Sequence, residues 1–206
     1  MQPPNKNPIF RFVILAAVTA IFTFLAPLEK TLGANARIVY MHGAWVWVAM
    51  LAFMASALAG AAALIVRKPS LNQWSQGLGW TGLLFWLTFL PMSLYVMQAN
   101  WNGLFLDEPR FRIPLNLAIV ALLLQTGMYV FSRPVWTSAA NLIYGIVLFS
   151  SMIGVNSILH PDSPIFSSES RTIQIYFAGI FIFLVASALQ LTSLLMQHIP
   201  PRRESI

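Results

Sequence analysis

The stretch VYMHGAWVWVAMLAFMASALAGAAALIV, residues 39–66, decides the fold. It runs for 28 positions without a charged residue and stops at Arg67-Lys68. A helix of about 20 apolar residues crosses a hydrocarbon core of about 30 Å. Residues 39–66 therefore read as a membrane span long enough to tilt or to project beyond the bilayer. Further apolar runs near 9–27, 77–98, 113–131, 137–158 and 173–197 bring the expected spans to six. The reading is an all-α, polytopic membrane protein, a six-transmembrane-helix bundle forming a single domain over residues 1–206.

Composition agrees. The chain is 58% hydrophobic and 9% charged, with a mean hydropathy of +0.71; a soluble domain carries roughly 25% charged residues. Lys6 and Arg11 before the first apolar run resemble the start of a signal peptide. That run is longer than an ordinary signal core and no small-x-small site follows before Pro27, so the expectation is an uncleaved first helix.

With the N-terminus inside, the inner segments hold Lys6, Arg11, Arg67, Lys68, Arg133, Arg202 and Arg203 against the single acid Glu204. The outer loops hold Lys30, Arg37, Arg110, Arg112 and Arg171 against Glu29, Asp107, Glu108, Asp162 and Glu169. The basic excess places both termini in the cytoplasm of a cell, inner or cytoplasmic, membrane. The net charge of +6 then suits an anionic leaflet and requires no nucleic acid. The chain has no cysteine, which excludes covalent haem attachment through CxxCH, a CxxC redox pair and thiolate metal sites.

The inner connections are expected at Arg67 to Gln76 and Ser132 to Trp136, short enough to make the flanking helices antiparallel neighbours. In the second span Ala52, Ser56, Ala59, Gly60 and Ala63 form a small-residue face suited to close helix packing. Pro91 is expected to kink the third helix and Pro114 to open the fourth.

Chemistry then falls to the outer loops. His42 and His160 each lie where an apolar segment meets a polar loop, and the topology puts both on one membrane face. Two imidazoles there can hold one iron from opposite sides, with the second ring nitrogen oriented by a carbonyl or carboxylate. Residues 100–112, NWNGLFLDEPRFR, offer the aromatic and cationic surface that a porphyrin and its propionates need, and Arg37 lies within reach of a propionate. Taken singly each feature has a plainer reading. An interfacial histidine is commonly hydrogen-bonded, and Trp45, Trp47 and Trp101 suit an aromatic belt. His198, near the inner end of the last helix, reads as interface hydrogen bonding only.

The pattern as a whole resembles a known family. Gly33 followed by Arg37-Ile-Val-Tyr40-Met-His42, then Trp101 with Pro109-Arg110, then Leu159-His160-Pro161, is similar in order and placement to the motifs of the CcmC/CcsA family, haem-handling membrane proteins of cytochrome c biogenesis. The resemblance covers nearly the whole chain. It implies His42 and His160 as axial ligands of haem b, a non-covalently held cargo; Trp101, Phe105, Pro109 and Arg110 as haem contacts; and Arg37 and Arg110 at the propionates. It implies no catalysis, and a role in haem transport during cytochrome complex assembly. It further implies partnership with an ATP-binding cassette complex and with a haem chaperone or synthase. Glu108 stands at the family's aspartate, while Leu104, Phe105 and Asp107 replace its other tryptophans. Two alternatives stay open: a haem-free accessory or scaffold subunit, and a small-solute permease using Asn116, Gln125 and Asn141.

Overall fold

The computed structural model describes residues 8–153, 155 and 165–198. Among them the chain forms six helices: α1 (Pro8–Phe24), α2 (Ala36–Val66), α3 (Pro69–Trp101), α4 (Pro109–Phe131), α5 (Pro134–Met152) and α6 (Arg171–Gln197). Five of them, α2 to α6, are long and apolar enough to cross a membrane. At 17 residues α1 is apolar but reaches only about 25 Å. The chain is a multi-pass helical membrane protein.

Helix boundaries depart from the sequence expectation at the inner connections. Each is two residues long, Arg67-Lys68 and Ser132-Arg133. Arg67 and Ser132 turn the chain by adopting left-handed backbone at φ 55° and 58°, and Pro69 and Pro134 restart it at the first helical position, where proline's missing N–H costs nothing. Residues 69–76, expected in a loop, are the first two turns of α3. Their polarity misleads because Asn72 and Ser75 face the protein interior. Likewise α4 opens at Pro109, and Pro114 lies inside it. Pro91 lies inside α3, which continues to Trp101. The fifth helix ends at Met152 rather than within 153–158.

Helices α2 and α3 form the centre; α5 and α6 pack against both, α4 lies on α3 and α5, and α1 lies mainly on α6. Phe53 and Trp86 are fully buried there, edge to face at 6.0 Å, and the Tyr144 ring lies tilted against Phe53 at 4.8 Å. The small face of α2 works as expected. A methyl group on Gly60 would stand 2.5 Å from the carbonyl oxygen of Ser138 and 3.1 Å from Ser75 Oγ, so only glycine lets these backbones meet.

That contact belongs to a buried polar relay joining four helices near the two-residue connections. Ser56 Oγ donates to the Ser75 carbonyl (2.6 Å), Asn141 Nδ2 to the same carbonyl (3.0 Å), and Gln125 Nε2 to Asn141 Oδ1 (2.6 Å). Ser138 Oγ donates to Asn72 Oδ1 at 2.6 Å. Because a carbonyl only accepts, Ser75 fixes the orientation of the Asn141 amide, and Asn141 in turn fixes that of Gln125.

Candidate functional site at the long-loop end

Alternating helix direction gathers residues 25–35, 102–108 and 165–170 at the end of the bundle opposite the relay. The first of these loops is tightly hydrogen-bonded. Glu29 pairs through its backbone with Gly33, whose φ of +55° suits glycine. Glu29 Oε2 accepts from the backbone N–H groups of Thr31 and Leu32 at 2.8 Å each. The Leu32 and then the Thr31 N–H hold the Glu29 carboxyl below its ordinary range. Asn35 Nδ2 donates to the Ala99 carbonyl at 3.0 Å, joining the start of α2 to the end of α3.

Arg37 closes this loop. Its Nε donates to the Ala26 carbonyl at 2.9 Å, and its guanidinium stands 5.2 Å from the centre of the Phe24 ring. The propionate candidate thus already holds the chain reversal between α1 and α2.

His42 lies six residues into α2, about 9 Å below the helix start. It is half-buried, with Nδ1 inside the protein and its ring 5.7 Å from that of Phe89. Helix α2 begins three residues before the expected 39, so the histidine sits deeper than a boundary residue. Trp45, one turn on, is no belt residue: its Nε1 donates to the Phe85 carbonyl (3.1 Å) and Thr88 Oγ1 (2.9 Å). Trp47 is half exposed, eleven residues into α2 and deeper still than His42.

Trp101 is the last residue of α3 and half-buried, with Asn102 capping the helix at φ 53°. Beyond it Leu104, Phe105 and Leu106 form an exposed apolar tip. Pro109 is at the first position of α4, and Arg110 beside it is half-buried. His160, Pro161 and Asp162 lie outside the described residues. Ile165, where the described chain resumes, has its Cδ1 3.8 Å from where a methyl on Gly43 would be. His198 is at the opposite end, exposed, with Nδ1 3.0 Å from the Leu194 carbonyl.

Two groups of this end did not stand out as site residues in sequence. Glu108, the residue before α4, is 2% exposed, and Tyr40 is 3% exposed. Tyr40 Oη is buried and has no hydrogen-bond partner among the described residues. The signals available were slight: an acid directly before Pro-Arg, and a tyrosine two residues before a histidine.

An apolar crevice of about 390 Å³ opens on the side of the bundle between α1 and α3, floored by α2 and α6. Met41 and Trp45 carry it up to the His42 turn. Its hydroxyls are spent internally: Thr19 on the Leu15 carbonyl, Thr88 on that of Leu84, and Ser187 on that of Phe183.

No family model and no curated protein matches the sequence.

Proposed function

We propose that this protein is a six-span protein of the inner or cytoplasmic membrane, both termini cytoplasmic, that holds haem b without covalent attachment at its long-loop, external end and passes it on for cytochrome c maturation. His42 and His160 are the axial ligands. The observation that carries the reading is that Ile165, five residues after His160 in sequence, lies against Gly43, the residue after His42. Elsewhere the residues fit a porphyrin in part. With Nδ1 of His42 buried, ligation falls to Nε2, and the Phe89 ring packs beside the imidazole at 5.7 Å. The exposed Leu104, Phe105 and Leu106 supply an apolar face, which compensates for the absent tryptophans and for a Trp101 that is half-buried. Arg110 serves a propionate, and Arg37 acts first as the loop tie. Tyr40 Oη is a buried hydroxyl suited to a polar group of the cargo.

Release matters as much as binding. The chain therefore does no bond chemistry; it binds, orients and gives up the haem to a chaperone or synthase, in company with an ATP-binding cassette complex. A permease path is not favoured, because the amide nitrogens of Gln125 and Asn141 are tied in bonds between helices and Asn116 faces outward.

The test is the absorption spectrum of the protein purified from haem-replete cells. A low-spin haem spectrum is expected, weakened by Phe105→Ser. A preparation that never carries haem sinks the reading and leaves the accessory subunit in its place.

A further inference from the structure

Helix α4 turns Asn116 and Thr126 away from the bundle. Asn116 and Thr126 are both exposed, and among the described residues neither makes a hydrogen bond, ion pair or ring contact. Four threonines within the helices behave differently. The hydroxyls of Thr19, Thr81, Thr88 and Thr192 each donate to the carbonyl four residues back. Asn116 stands seven residues into a helix of 23, about 10 Å from its start, where lipid offers an amide no partner.

Asn116, Ile119, Leu123, Thr126 and Val130 are spaced alternately by three and four residues and all are exposed. That spacing is the seam of a left-handed helix pair. Gly127 beside it meets nothing within 4 Å, so a second backbone can approach closely. Among the described helices α4 packs only on α3 and α5, at the edge of the bundle.

We propose that α4 is a dimer interface and that its partner is α4 of a second copy of this chain. The polar groups choose the occupant. Two copies inserted by the same rules share one orientation, so a two-fold axis along the membrane normal sets their α4 helices parallel and at equal depth. Asn116 then faces Asn116. An amide both donates and accepts, and is its own complement. Thr126 meets Thr126 in the same register. Arg112, one turn above Asn116 on the same stripe, is held by Asp107 at 3.7 Å, which offsets the repulsion between the two guanidiniums at the interface edge. The inference stands apart from the haem reading, and the haem spectrum does not bear on it.

The chain has no cysteine, so Leu123→Cys on the seam and Ile146→Cys on the exposed face of α5 can be oxidised in native membranes. A disulfide-linked dimer is expected from Leu123→Cys alone. Energy transfer between labelled copies in phosphatidylcholine vesicles measures the same contact without a crosslink. Asn116→Leu should raise the dimer dissociation constant about three- to fifteen-fold, while Asn116→Gln, which keeps an amide, should largely preserve it. These changes are on an exposed face and leave the fold untouched. Equal crosslinking at both positions overturns the proposal, as does Leu123→Cys linked only to a different protein, or energy transfer indifferent to Asn116→Leu.

Discussion

At the short-loop end, two-residue turns, a glycine contact and a relay of amides and hydroxyls lock four helices together. At the long-loop end the connections are longer, an apolar tip is exposed, and a tyrosine hydroxyl is buried with no described partner. The difference is one of polar satisfaction. A membrane interior supplies no water, so polar groups that serve the fold must find each other. At the first end most do, with Gln125 Oε1 left buried and without a hydrogen-bond partner among the described residues, and the result is a fixed base. The second end leaves Tyr40 Oη buried without a described partner and Leu104, Phe105 and Leu106 exposed on that base.

The comparison breaks most readily at glycine. Gly60→Ala forces a methyl against the Ser138 carbonyl and should destabilise the protein by about 1–3 kcal/mol. Gly43→Ala, beside His42, meets Phe177 at 3.4 Å, an ordinary contact, and should be close to neutral. Thermal unfolding of both in detergent measures the contrast; equal losses would erase the distinction between the ends.

Next in size is the relay. Asn141→Leu strands Gln125 Nε2 and should cost on the order of 1 kcal/mol. Adding Gln125→Leu removes the stranded group, so the double variant should recover part of the loss. A double variant worse than either single change would mean that the amides do more than satisfy one another.

At the other end, Arg37→Ala removes the tie to the Ala26 carbonyl and Phe24. The expected effect is about 1 kcal/mol of stability and faster proteolysis within residues 25–35. Should haem content fall with proteolysis unchanged, Arg37 acts on a propionate and not on the loop.

The smallest effect is with pH. Two backbone N–H groups favour the ionised Glu29, so the folded loop holds its proton less tightly than the unfolded chain does. Its contribution is complete above the ordinary value of 4.5 and is lost as pH falls through the lowered one. Amide exchange at Thr31 and Leu32 should quicken below that value in the wild type and be indifferent to it in Glu29→Gln.

The helical class was legible because long uncharged runs admit few other readings. The start of α3 was not, since Asn72 and Ser75 look like loop residues until a partner helix covers them. Asn116, Gln125 and Asn141 read alike in sequence, yet one faces outward and two face inward. Within a helix apolar on nearly every side, periodicity carries little information about facing. At the site, position along the chain correctly gathered the Arg37, His42, Trp101 and Arg110 regions at one end. The task of Arg37 was hidden, because its partner is a carbonyl eleven residues away across a turn that only the folded loop creates.

The central claim is axial ligation, and the most direct measurement is the spectrum and haem content of the His42→Ala/His160→Ala double variant beside the wild type. The account predicts a low-spin, bis-imidazole wild type, altered residual haem in each single variant with partial recovery on adding imidazole, and little haem in the double variant. His198→Ala, at the opposite end, should match the wild type. Wild-type haem content and spectrum in the double variant would contradict the account.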